Sequence, residues 1–174
     1  MTTRTLILMR GLPSCGKSWT ARRLAGDTGL VLETDQYFYS EVGPDPQSYD
    51  YDEALLPTAR EWIFARMVDA IERGISPIII DRGNGLNKET QRFAWYAADH
   101  GYTVQLREPD SEWWAELRVL LKYRDFLDPR ILDTWAERLA GQNDGHRVSP
   151  KQIRRWMNRW RYDVTVEDIL NDAQ

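Results

Sequence analysis

Gly11-Leu12-Pro13-Ser14-Cys15-Gly16-Lys17-Ser18 is a complete G-x-x-x-x-G-K-S run, and residues of these types at this spacing suit the phosphates of a nucleoside triphosphate. Glycines let the chain turn tightly enough for successive N–H groups to face one anion, and a helix opening after the run aims its positive dipole end at the same point. Gly11, Pro13, Ser14, Cys15 and Gly16 would form the cradle, Lys17 would reach the β- and γ-phosphates and neutralise a moving γ-phosphoryl group, and Ser18 would coordinate Mg²⁺. Two later carboxylates extend this chemistry. Asp35 could accept the proton of an attacking hydroxyl, or it could cap the following turn through the N–H of Tyr37 or Phe38. Asp81 could hold Mg²⁺ through water, or it could merely solvate the end of a buried strand. Cys15 sits where helix-terminal N–H groups and Lys17 should favour a reactive thiolate that bound phosphate would protect.

Such groups must be delivered by strand ends, and the periodicity supplies them. The apolar run Leu6-Ile7-Leu8-Met9 predicts a strand of about Arg4–Arg10 before the loop, with a helix from Trp19 onward. Leu30-Val31-Leu32 predicts a second strand, Pro77-Ile78-Ile79-Ile80-Asp81 a buried third, and Tyr102-Thr103-Val104-Gln105-Leu106 a fourth. Between them lie a long helix from about Asp52 to Arg73, with Leu55, Ala59, Trp62, Ile63, Arg66 and Ala70 near helical spacing, and a helix over Asn87–Gly101. The expected fold class is therefore α/β: a three-layer sandwich around a central parallel sheet, of the kind found in P-loop kinases, with ligands at the carboxyl ends of the strands.

The chain has 174 residues and no repeat or low-complexity linker, which predicts one P-loop domain over 1–174 with a helical lid region at about 110–150. The first apolar stretch is too short for a signal peptide or a membrane span, and a single cysteine makes no internal disulfide, so a cytoplasmic protein without a membrane partner is expected. The two histidines, His100 and His146, lack partners at metal spacing.

The formal net charge is −4, so the chain as a whole does not attract a polyanion, and any nucleic-acid contact must be local. Charge is unevenly spread. From Leu30 to Ala59 there are carboxylates at Glu33, Asp35, Glu41, Asp45, Asp50, Asp52 and Glu53 and no Lys or Arg, whereas Arg147, Lys151, Arg154, Arg155, Arg159 and Arg161 crowd the stretch from His146 to Tyr162. Ile153, Trp156, Met157 and Trp160 fall on one helical stripe, which predicts a buried aromatic face with its cations outward. Trp113 and Trp114 offer base-stacking platforms or, equally, core packing.

Read together, these motifs resemble the phage-type polynucleotide 5′-kinases and the related kinase modules of Nedd-binding proteins. The resemblance rests on the ordered set Gly11–Ser18, Glu33-Thr34-Asp35-Gln36-Tyr37-Phe38, and Ile78-Ile79-Ile80-Asp81 with Asn84. Leu86–Trp95, Tyr49–Trp62 and Val148–Val166 extend it over nearly the whole chain. It implies ATP and Mg²⁺ as cofactors, Asp35, Lys17 and Arg147 as catalytic groups, Ser18 and Asp81 as metal ligands, and Arg147 as the lid arginine, with Arg138 as its substitute at the nucleotide. The sequence departs from the family where a phosphate-holding basic residue three after the catalytic Asp is replaced by Phe38. It departs again where Gln142-Asn143 stands in place of Arg-Asn, and where about twenty residues, Val119 to Arg138, look inserted. The expected activity is transfer of the γ-phosphoryl of ATP to the 5′-hydroxyl of a nucleic-acid end or nucleoside derivative. A small-molecule kinase of the same architecture is the first alternative, favoured by the acidic Glu33–Glu53 segment and by Phe38, and a non-catalytic nucleotide-binding module is the second.

Overall fold

The computed structural model describes residues 2–39, 51–82, 87–142 and 148–171. Strands β1 (Thr5–Met9), β2 (Leu30–Leu32), β3 (Ile78–Ile80) and β4 (Thr103–Arg107) form one sheet in the order β2-β3-β1-β4. All pairings are parallel, with Leu6, Ile7 and Leu8 opposite Ile78, Ile79 and Ile80, and Leu6 also opposite Val104. The helices among the described residues are α1 (Lys17–Ala25), α2 (Leu56–Glu72), α3 (Lys88–Asp99), α4 (Glu112–Lys122), α5 (Pro129–Gly141), α6 (Pro150–Asn158) and α7 (Val166–Asn171).

Strand alternation sorts the apolar residues into two layers. Ile7, Met9 and Ile79 point to one face, where Ala21 and Ala25 of α1 cover them. Leu6, Leu8, Leu32, Ile78 and Ile80 point to the other and meet Ile63, Met67 and Ala70 of α2, Phe93, Ala94 and Ala97 of α3, and Ile169 of α7. A sheet covered on both faces needs strands that are apolar throughout, which is why β3 reads Ile-Ile-Ile rather than as an alternation. Each fully buried Ile there contributes roughly 1.5–3 kcal/mol relative to exposure. The α/β architecture with a central parallel sheet is the one the sequence predicts.

A third cluster lies beside the sheet. Trp114, Leu117 and Leu121 of α4, Leu132, Trp135, Ala136 and Leu139 of α5, and Ile153 and Met157 of α6 pack on one another and on Leu12 and Cys15 of the glycine loop. The segment 119–138, which looks inserted, comprises the end of α4, a short 3-10 turn at Arg124–Phe126 and most of α5, so it supplies much of this core.

Local boundaries differ from the sequence reading in instructive ways. The long helix expected from Asp52 begins as a 3-10 turn at Glu53–Leu55, capped by the Asp52 carboxylate on the Ala54 N–H at 2.9 Å. Only from Leu56, with Pro57 in its first turn, does it become α-helical. Its buried face is Ala59, Ile63, Met67, Ala70 and Ile71; Trp62 and Arg66 lie to one side, where their side chains stack on each other at 4.8 Å. On α6 the expected stripe also shifts: Ile153 and Met157 are buried, but Trp156 is exposed. Trp160, one residue beyond the helix cap, is buried against Trp114.

Candidate functional site

β1 ends in the sheet interior and releases the chain at Arg10 into the glycine loop. Ser14 and Gly16 both adopt left-handed backbone, with φ of 62° and 89°. Left-handed residues interleaved with ordinary ones curl a chain so that its N–H groups converge, making an anion-binding concavity. Gly16 is also the N-cap of α1 and offers no side-chain cap, so the first N–H groups of that helix are left for a ligand. Lys17 folds back across the loop, its Nζ donating to the Gly11 carbonyl at 2.9 Å. Burial lowers the Lys17 pKa from its usual value, while the neighbouring Asp81, Cys15 and Glu33 oppose that shift.

The loop is braced from outside by the segment that follows β4. Ser111 Oγ donates to the Cys15 carbonyl at 2.8 Å, Trp113 Nε1 donates to the Ser14 carbonyl at 3.0 Å, and Thr20 Oγ1 donates to Asp110 at 2.9 Å. With its carbonyls held outward, the loop presents N–H groups inward. Sequence reasoning missed this role. Trp113 braces the loop from an exposed position, whereas Trp114 is almost completely buried, with its Nε1 donating to Glu108 at 3.2 Å; packing therefore accounts for Trp114. Ser111 also caps α4 by accepting the Trp114 N–H, a local signal that marks the helix start but not its contact with the loop.

Across the sheet edge, the end of β3 brings Asp81 to Ser18, whose Oγ donates to its carboxylate at 2.7 Å. Asp81 is only 7% exposed and is fixed by its own N–H donating to the Leu32 carbonyl at 3.0 Å. Hydroxyl and carboxylate oxygens are the donors that Mg²⁺ takes, and the ion usually completes its shell with water and substrate phosphate. The pair fits that requirement. Among the described residues no three acidic, His or Cys side chains form a metal cage of their own.

Glu33, at the end of β2, is a site residue the sequence reading left unassigned. Burial first, and then charge repulsion and a hydrogen bond with Asp81, push its carboxyl from the usual 4.5 up to about 7; Asp35 adds repulsion and Arg22 opposes it. Asp35 itself is half-buried in the turn after β2. Its backbone carbonyl accepts the Phe38 N–H at 3.0 Å. Gln36 anchors the turn by donating to the Val31 carbonyl at 3.1 Å and accepting from Arg66 at 2.9 Å. Glu33 and Asp81 thus share one electrostatic neighbourhood with Lys17, and Asp35 acts on Glu33.

The other expected residues divide. Phe38 is fully buried between Tyr37 and Tyr51, so it is core and does not floor an acceptor pocket. Arg138 is exposed on the last turn of α5, its guanidinium over the Trp135 ring at 4.7 Å. Arg147, Asn143, His146 and Asn84 lie outside the described residues. Cys15 corrects the reactive-thiolate expectation: it is 0% exposed, and burial pushes its thiol up to about 12 despite Lys17. Its side chain belongs to the helical core behind the loop, and only its backbone faces the cradle. No described helix is long and apolar enough to cross a membrane.

Two outcomes follow from these environments. Iodoacetamide at pH 8 should modify Cys15 in the folded protein at least ~100-fold more slowly than in urea, with ATP changing the rate little; native labelling at the urea rate would contradict the burial. For Glu33, a folded pKa raised above the unfolded one stabilises the protein fully below about 4.5, and that stabilisation is lost as pH rises through about 7. Glu33→Gln should therefore gain on the wild type between those limits when urea midpoints are compared without metal. Identical pH slopes in the two proteins would refute the assignment.

Comparison with known proteins places this geometry in a family. The model described as "AAA domain" matches residues 6–116, from β1 through the loop, both carboxylate-bearing strand ends and the bracing segment. The chain is 35% identical to human NEDD4-binding protein 2 over 170 residues, 97% of this chain but 8% of that protein. It is 28% identical to human YLP motif-containing protein 1 over 130 residues, 63% of this chain and 6% of that one, so it spans a small part of either relative. With a phosphate loop on β1, a Ser–Asp pair at the strand ends and a matching region that covers most of the chain, this protein belongs to the AAA domain family and is a P-loop nucleotide-binding domain of kinase-like type.

Proposed function

We propose that the protein transfers the γ-phosphoryl group of ATP to a hydroxyl acceptor, and that the acceptor is the 5′-hydroxyl of a nucleic-acid end or nucleoside derivative. The observation that carries this reading is the convergence, at one edge of the sheet, of a phosphate cradle, the Ser18–Asp81 pair and the Asp35 turn. A module that only bound nucleotide would need the first two and not the third.

The loop N–H groups and Lys17 hold the β- and γ-phosphates in place. Mg²⁺, held by Ser18 and Asp81, supplies charge neutralisation on the phosphate oxygens when bound. Asp35 orients the acceptor hydroxyl and takes its proton as the acceptor oxygen bonds to the γ-phosphorus and the bond to the β-phosphate oxygen breaks, leaving ADP. Lys17, short of its full hydration, offsets the charge that develops on the departing oxygen. Arg147, supported by the sequence resemblance, closes over the phosphates, with Arg138 on the neighbouring helix as the substitute cation. A small hydroxylated metabolite is the competing acceptor, favoured by the carboxylates Glu33, Asp35 and Asp81 around the site, which repel a polyanion.

The test is transfer of label from γ-labelled ATP with Mg²⁺ to oligonucleotides, nucleosides and hydroxylated metabolites. Oligonucleotide or nucleoside 5′-ends should be labelled by the wild type. Lys17→Met should lose roughly 10²–10³ in rate, and Asp35→Asn should keep ATP binding while losing roughly 10²–10⁴. Labelling of a metabolite alone, still dependent on Asp35, would transfer the reading to a small-molecule kinase. Full activity in Asp35→Asn would remove its role as base.

A further inference from the structure

α6 turns two unlike faces to its surroundings. Ile153 and Met157, with Trp160 just past the helix cap, are buried in the cluster formed with α4 and α5. At about 100° per residue, the opposite face is made by Lys151, Arg155 and Arg159, each of them exposed. The stretch from His146 to Tyr162 holds no carboxylate, in a chain whose formal charge is −4. Among the described residues the ion pair of α6 is that of Arg154 with Asp133 of α5, at 2.9 Å; Lys151, Arg155 and Arg159 take part in none. Helices α3 and α4 place Glu89 and Glu112 in their first turns, as the helix dipole favours, whereas α6 places Lys151 there and no acid. A cation at that end costs helix stability, and repulsion among like charges one turn apart adds to it. Folding alone does not account for this face.

Its features are those a single-stranded polyanion needs. Lys151, Arg155 and Arg159 are spaced about 6 Å apart along the helix axis, close enough to follow successive phosphates of an extended strand. Trp156, 37% exposed, stands beside Arg155 and one turn from Arg159, where a base between two held phosphates can lie on its ring. Lys151 and Arg155 also rim a groove of about 450 Å³ between α5 and α6, but its far wall carries Asp133 and Glu137. Those carboxylates keep a polyanion on the outer face of α6. The helix is tied to the phosphate loop at its carboxyl end: Arg10, the residue before the loop, lies over Trp160 at 4.3 Å and donates to the Arg161 carbonyl at 3.0 Å. We infer that the outer face of α6 binds single-stranded nucleic acid and holds the acceptor strand beyond its reacting end, an inference that rests on the phosphoryl-transfer reading above. The contacts are to phosphates and to a ring face, so binding is sensitive to salt and indifferent to sequence.

Fluorescence anisotropy of the complete chain with fluorescein-labelled oligothymidylates of about 4 to 12 nucleotides tests this. Wild-type affinity should rise with length and fall with salt. Lys151→Gln, Arg155→Gln and Arg159→Gln combined should abolish the gain with length and reduce the slope of log K against log salt by about 2, at roughly 0.7 per single-strand phosphate. If the triple variant does not fold, Arg155→Gln alone decides, with a slope smaller by about 0.7. Trp156→Leu should weaken binding of the longer strands roughly 5-fold or more and leave the salt slope unchanged. In the transfer assay the triple variant should raise KM for a long strand and label a nucleoside as the wild type does. Equal affinity and slope in wild type and triple variant would overturn the surface. So would displacement of the strand by oligoglutamate of matched charge as readily as by unlabelled oligothymidylate, the mark of a site for acidic peptides. If no acceptor of any kind is labelled, the transfer reading fails on its own, and the anisotropy comparison still decides the surface.

Discussion

The Ser18–Asp81 hydrogen bond joins the loop after β1 to the end of β3, and the site depends on the register that makes this contact possible. β1 and β3 are parallel neighbours with Leu8 opposite Ile80, so both strands end at the same level and both release polar residues on the same edge. A shift of β3 by one residue would turn Asp81 to the other face of the sheet and carry Ile80 to the edge. The apolar demand of both covered faces therefore fixes the position of a carboxylate that contributes nothing to the core. β2, paired with β3 at Leu32 opposite Ile80, extends the same logic to Glu33 and Asp35.

A second constraint is the direction of the loop carbonyls. The glycine loop presents N–H groups only because its carbonyls are occupied by Lys17, Ser111 and Trp113. The last two come from the start of α4, so the helical layer is part of the phosphate site's support. Arg10, buried just before the loop, adds another tie: its guanidinium lies over Trp160 at 4.3 Å and donates to the Arg161 carbonyl at 3.0 Å. Burial lowers it to about 10, opposed by the nearby Glu108. The cationic carboxyl-terminal segment is thereby anchored to the strand that carries the loop.

Much of this was legible in the sequence because the relevant signals are local. The order strand, glycine run, helix is written in consecutive residues, as are the buried Ile78–Ile80 and the Asn87 cap of α3, which accepts the Thr90 N–H at 2.8 Å. Long-range relations were not legible. Nothing local says that Ser111 and Trp113 reach back about a hundred residues to the loop, or that Glu33 is pressed against Asp81. Nor does local chemistry decide burial. A cysteine in a phosphate loop beside a lysine has the composition of a reactive thiol, yet Leu117, Leu121 and their neighbours enclose Cys15. Trp114 is no ligand-facing residue for the same reason.

The cradle, the oxygen pair and the nearby carboxylates together make a site with two electrostatic demands: Glu33 and Asp81 crowd each other, and the converging N–H groups of the loop and the uncapped start of α1 suit an anion. Mg²⁺ with a nucleotide answers both demands at once, so binding of the two should be interdependent. The direct measurement is calorimetric titration of ATP into wild type, Ser18→Ala and Asp81→Asn, with and without Mg²⁺. The wild type should bind ATP far more tightly with Mg²⁺ present, and both variants should lose most of that dependence while retaining the weaker metal-free binding. Unchanged Mg²⁺ dependence in both variants, or no ATP binding by the wild type under either condition, would contradict the account.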